Sequence, residues 1–122
     1  MKLYTSCFAN KWKYKDMITI SIALWPPKDY KGYCSKKLAP SKDILNEYHR
    51  TRDEKQYTKR YKEEILGNLD CETLVKGTLE YIREKHGEKD ICFLCFEKPG
   101  DFCHRKLVAN WMKENGFECS EI

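Results

Sequence analysis

Ile91-Cys92-Phe93-Leu94-Cys95-Phe96 is followed by Glu97-Lys98-Pro99-Gly100-Asp101 and then by Phe102-Cys103-His104-Arg105. The reading of this stretch decides the fold. An apolar run of strand length with no polar alternation suits a strand buried on both faces, as in the interior of a parallel sheet. A polar turn ends it, and the pattern after Cys103 is helical, with Leu107, Val108, Trp111 and Met112 on one side and Gly116 as the stop. Upstream, Asp70 is placed to cap a helix carrying Leu74, Val75, Thr78 and Ile82, and Gly87 ends it. Phe117 to Ile122 reads as a closing strand. Helix–strand–helix–strand in this order implies parallel strands joined by right-handed crossovers.

The front half fits the same plan. Lys2 to Ser6 and Met17 to Leu24 read as strands, the second halted by Pro26-Pro27. Lys28 to Pro40 reads as irregular, and Ser41 as the N-cap of a helix presenting Ile44, Leu45 and Tyr48. A helix from Asp53 sets Tyr57, Tyr61 and Ile65 on one stripe and ends at Gly67. The expected fold is α/β: a small parallel or mixed sheet flanked by helices. Its 122 residues suit one domain spanning 1–122, since halves of that size would bury too little core.

Charge and cysteine usage narrow the class. The net charge is +4, but Lys11 to Lys62 holds 14 Lys/Arg against 6 Asp/Glu. Interleaved with Trp12, Tyr14, Trp25 and several tyrosines, this stretch suits a phosphate-bearing ligand, nucleic acid included, with Lys59 and Lys62 as contacts; a lysine-rich solvated surface is the plainer alternative. No apolar run approaches the ~20 residues of a membrane span. Met1 to Thr5 lacks the apolar core and cleavage site of a signal peptide, so a cytoplasmic location is expected. Seven cysteines in a reducing compartment are packing thiols, ligands or nucleophiles before they are disulfides.

The loop between the strand at Cys95 and the helix at Cys103 stands where ligands bind in open α/β sheets, beyond the carboxyl ends of strands. A helix start offers free N–H groups and a positive dipole end. There the sequence supplies Cys103, which a helix N-terminus activates, with His104 and Arg105 beside it and Glu97 on the same side of the strand as Cys95. These give Cys95 or Cys103 as nucleophile or structural thiol, Glu97 or His104 as acid/base, and Arg105 as anion grip. The sequence assigns no metal and no cofactor. Cys92-x-x-Cys95 lies within a strand and points its thiols to opposite faces, unlike a zinc knuckle; a site built from Cys95, Cys103, His104 and a distant cysteine stays open. A cysteine-phosphatase loop fails, because the sixth residue after Cys95 is Asp101 and after Cys103 is Ala109.

Leu94 to Arg105 also resembles the signature of the domain of unknown function 488 family, a C-x-E at a strand end followed by C-H-R at the next helix start. Cys95, Glu97, Cys103, His104 and Arg105 match that pattern position by position. Tyr4-Thr5-Ser6, Leu38-Ala39-Pro40 and the Tyr57/Tyr61 pair are similar to compact members. The resemblance implies a small Rossmann-like domain. The chain departs from longer members where Ser6-Cys7-Phe8 replaces a glycine-histidine-serine opening and Ala23-Leu24-Trp25 an aspartate-valine-arginine stretch. The expected function is a phosphate-recognising, enzyme-like protein acting on a nucleotide or nucleic acid, the alternative a non-catalytic nucleic-acid or protein-binding module with a structural Cys/His/Arg corner.

Overall fold

The computed structural model of the chain describes residues 1–97 and 102–122; the expected turn at 98–101 lies outside them. Among the described residues, five strands form one parallel sheet: β1 (Leu3–Cys7), β2 (Ile18–Ser21), β3 (Tyr33–Cys34), β4 (Ile91–Cys95) and β5 (Cys119–Glu121). Their spatial order is β3-β2-β4-β1-β5. The apolar run becomes the central strand, with Leu3 opposite Ile91 and Cys7 opposite Cys95 on one side, and Ile18 opposite Ile91 on the other. All its residues are buried. The strand at the C-terminal end is parallel to it, separated from it by β1.

The described residues also hold four α-helices: α1 (Lys42–Thr51), α2 (Glu54–Arg60), α3 (Cys71–His86) and α4 (His104–Glu114). Their ends follow local chemistry. The Ser41 hydroxyl accepts from the Ile44 N–H, and the Asp53 carboxylate from the Gln56 N–H. Gly87 (φ 78°) and Gly116 (φ 91°) take the left-handed conformation that ends α3 and follows α4. After Arg60 the coil widens into a π turn, Tyr61–Ile65.

The helices do not flank the sheet on both faces. Residues pointing one way from the strands (Ile20, Ile91, Phe93, Cys95) share a core with Ile44, Tyr61, Val75, Ile82, Val108 and Met112 of the helical segments. Those pointing the other way, Cys92 and Leu94, pack with Phe8, Tyr14 and Ala23 from loops. The cause is topological. The crossovers into β4 and β5 run toward one edge and carry helices, whereas the crossover from β1 to β2 runs the opposite way and must pass over the other face. Phe8 to Met17 holds only a 3-10 turn, Lys11–Lys13. No helix among the described residues is long and apolar enough to cross a membrane.

Candidate functional site

Chain connections fix where a ligand can enter. From β2 the chain leaves toward β3 at one edge, and from β4 toward β5 at the other, so a crevice opens between the carboxyl ends of β2 and β4. It holds a cavity of about 480 Å³, within the range of small-molecule sites. Ala23, Leu24 and Trp25 after β2 form one wall, and Tyr48, Tyr57 and Phe102 another. The three rings of that second wall pack on one another, with centroids 5.1–5.4 Å apart. His49, Arg52 and Glu54 stand exposed at the rim. At the floor are Cys95, Glu97, Cys103 and His104.

The floor is built by the junction of β4 with α4. Cys103 is the N-cap of α4, in extended conformation, and its sulfur accepts from the Arg105 N–H at 3.5 Å. The Cys95 and Cys103 sulfurs are paired, from Cα atoms 7.8 Å apart. The Cys95 sulfur also lies 3.4 Å from a Glu97 carboxylate oxygen and 3.3 Å from Nη1 of Arg105. His104 turns inward, where its Nε2–H donates to the Ile22 carbonyl at 2.7 Å and its Nδ1 faces the Cys103 sulfur at 3.8 Å. Because Nε2 is the donor, Nδ1 keeps its lone pair toward the sulfurs. Burial, with the neighbouring Arg105 charge, lowers the His104 pKa to about 4 against the opposing pull of the Ile22 carbonyl. The ring is therefore neutral near pH 7. Tyr61 covers it, ring centroids 5.3 Å apart, held by a hydrogen bond from its hydroxyl to the Leu38 carbonyl. Burial, then the Glu97 charge, raises the Tyr57 pKa, so that phenol stays protonated.

Arg105 differs from the sequence expectation. Instead of gripping an anion at an open helix start, its side chain is fully buried and its Nε donates to the Glu121 carboxylate at 2.8 Å. Nη1 reaches the Glu97 carbonyl as well as the Cys95 sulfur, while Nη2 has no partner among the described residues. The anion that holds this guanidinium is the chain's own β5 carboxylate, brought in by a strand pairing that local sequence does not announce. Lys59 and Lys62 are exposed on the α2 segment and line no part of the cavity. Cys92 points to the opposite face, as strand alternation requires. The structure thus unites Cys95, Glu97, Cys103 and His104, takes Arg105 into the wall behind them, and leaves the two lysines outside. The sequence offered Trp25 only as one aromatic of the basic stretch and did not single out His49 and Arg52. The last two stand at the C-terminal end of α1, where i and i+3 share a face, a signal that points to no ligand before the sheet is assembled.

Over residues 3–116 the chain matches the family described as the Active DUF488-N3 subclade. The chain belongs to this family. No curated protein and no solved structure matches it.

Proposed function

We propose that the chain is an enzyme-like protein that takes a phosphate-bearing, nucleotide-type ligand into the cavity between β2 and β4. One observation carries this reading: an aromatic wall, a polar rim bearing Arg52, and a floor of sulfur, imidazole and carboxylate meet in a single open cavity. A flat heterocycle stacks on Trp25 or inserts against Tyr48 and Phe102, since aromatic faces accept any base. The phosphate lies toward the exposed Arg52 guanidinium, with the His49 ring beside it as a hydrogen-bond partner, and not toward Arg105. Glu97, exposed at the floor, is the group placed to move a proton. Lys59 and Lys62 would contact only a ligand as long as an oligonucleotide. The five cysteines outside the pair are free thiols, which suits a reducing, cytoplasmic setting.

The second reading is a non-catalytic binding module. The pairing of buried Arg105 with the partly exposed Glu121 favours it, because such a pair fixes a corner without touching a ligand.

The test is a thermal-shift and calorimetric titration with ribonucleoside 5′-monophosphates and short single-stranded oligonucleotides at two salt concentrations, with product analysis by mass spectrometry. Binding should weaken with salt. It should also weaken about fivefold or more on Arg52→Ala or Trp25→Ala, the stacking and charge contributions each being roughly 1–3 kcal/mol. Conversion abolished by Glu97→Gln makes the protein an enzyme, and binding without conversion makes it a module. Absence of binding to every probe at low salt overturns the first reading and leaves the second only as a protein-binding module.

A further inference from the structure

We propose that Cys95, Cys103 and His104 form a three-ligand site for a thiophilic divalent metal ion, zinc in preference, whose fourth position opens into the cavity. The inference does not rest on the nucleotide reading, and either can fail without the other.

Convergence is the first observation. Two sulfurs and one imidazole nitrogen, all from buried residues, lie within 4.8 Å of one another. The His104 Nδ1 to Cys103 Sγ separation is 3.8 Å. Zinc–sulfur and zinc–nitrogen bonds of ~2.3 and ~2.05 Å at a tetrahedral angle would place those atoms roughly 3.6 Å apart.

The imidazole is already aimed. Its Nε2–H is committed to the Ile22 carbonyl, so tautomer and ring plane are fixed with the Nδ1 lone pair on the sulfur side, the outer-partner arrangement seen behind histidine metal ligands. Tyr61 packed against the ring and the Ile22 carbonyl at its Nε2 edge keep that orientation.

The backbone speaks against a lasting bridge. Disulfides usually join Cα atoms roughly 4.4–6.8 Å apart, and separations above ~7 Å need backbone movement. Cys95 and Cys103 are 7.8 Å apart. One is held at the end of a central strand and the other at a helix N-cap. Reduced, both thiols face one point from rigid elements, which suits two bonds to a shared ion. Charge also balances. Two thiolates offset a divalent cation, Nη1 of Arg105 donates to the Cys95 sulfur, and Glu121 offsets the guanidinium. Three protein ligands with an open side and a nearby carboxylate, Glu97, would leave water in the fourth place.

The full chain, untagged, reduced and prepared without chelators, should carry about one zinc per chain by elemental analysis. Stripped reduced protein titrated with Co²⁺ should develop thiolate-to-cobalt absorption in the near ultraviolet together with the visible bands of a tetrahedral ion. Cys103→Ser and His104→Gln should each lower cobalt affinity by more than the ~10–100-fold typical of outer partners. Cys92→Ala, on the other face of β4, should leave the absorption unchanged. The wild-type titration needs no variant to fold. Reduced wild-type chain that retains no zinc and shows no thiolate–cobalt band overturns the proposal. So does absorption that survives Cys103→Ser in a folded chain. Air re-formation of the Cys95–Cys103 bond in chain that takes no cobalt would make the pair a redox couple instead.

Discussion

The two faces of the sheet are made by the same strands yet have opposite characters. On the helix-covered face, side chains of β4 meet α4, Tyr61 and the cavity. On the loop-covered face they meet Phe8, Tyr14 and Ala23, with Tyr4, Met17, Tyr30 and Ile122 partly buried around them. Cys92 and Cys95 stand three residues apart on one strand and show what this does to a thiol. Burial and the neighbouring Cys119 push the Cys92 pKa up to about 12, so it behaves as a small apolar side chain. Cys95 has a guanidinium N–H on its sulfur and a helix N-terminus opposite. Chemistry needs polar groups converging from rigid elements, and here only the face with a helix start provides them.

Adjacent residues of β4 test this contrast most strongly. Phe93 lies in the large helix-covered core and Leu94 in the small loop-covered one. Phe93→Ala should cost about 4 kcal/mol and Leu94→Ala nearer to 2–3 kcal/mol, because loops close over a cavity more readily than packed helices do. Urea unfolding of the two variants measures the difference. Equal losses would mean that the loop-covered face is as rigid as the other.

Much of the fold and of the candidate site was legible in the sequence, for reasons tied to particular residues. Unbroken apolarity from Ile91 to Phe96 leads to the central strand. Ser41 and Asp53 cap their helices by the hydrogen bonds their side chains allow. The cluster of Cys95, Glu97, Cys103 and His104 follows from a strand end and a helix start meeting at one edge of a parallel sheet. What escaped depends on distant pairing. Tyr33–Cys34 becomes a strand only because Ile20 and Ser21 lie beside it, in a segment with no periodicity of its own. Tyr48 and Tyr57 read as a core stripe, since helical spacing does not tell a buried face from a cavity wall. Glu121 as the partner of Arg105 required knowing that β5 pairs with β1. The thin covering of the second face required knowing which way the chain crosses from β1 to β2.

The cysteines of the two faces give a second test, through pH. A thiol of pKa 9.0 in the unfolded chain stands at about 12 for Cys92 in the folded one. Above pH 9 the unfolded chain therefore sheds a proton that the folded chain keeps. Stability from this residue is whole below that point and is lost as pH rises toward 12. Near pH 10.5 the loss is roughly 2 kcal/mol. Cys71 and Cys119, each pushed up to about 11 by burial, add to it. Cys92→Ala should remove its own share, so the stability difference between pH 8 and about pH 10.5 shrinks by roughly 2 kcal/mol relative to wild type. An unchanged difference would mean that Cys92 is not shielded from water.

The smallest expected effect separates the faces most cleanly. Gly32 precedes β3 on the loop-covered side, and a Cβ there would run into the Thr19 hydroxyl and the Tyr30 ring. The Tyr30 hydroxyl donates to the Tyr33 carbonyl at 2.7 Å and accepts from the Thr19 hydroxyl at 3.2 Å, while its ring meets Phe8 edge-on at 5.4 Å. Gly32→Ala must therefore displace Tyr30. Tyr30 is half-exposed and carried by a loop, so it can swing outward, and the cost should sit at the low end of overpacking, about 1 kcal/mol. Thr19 points away from the helical core that its neighbours Ile18 and Ile20 enter. Displacement on its side should thus stop at the sheet. The variant should show a small drop in unfolding free energy and altered tyrosine near-ultraviolet dichroism, with cavity binding and cobalt absorption as in wild type. If cobalt absorption or ligand affinity moves with it, β2 transmits the disturbance to the Ile22 carbonyl that holds His104. The two faces would then be one mechanical unit.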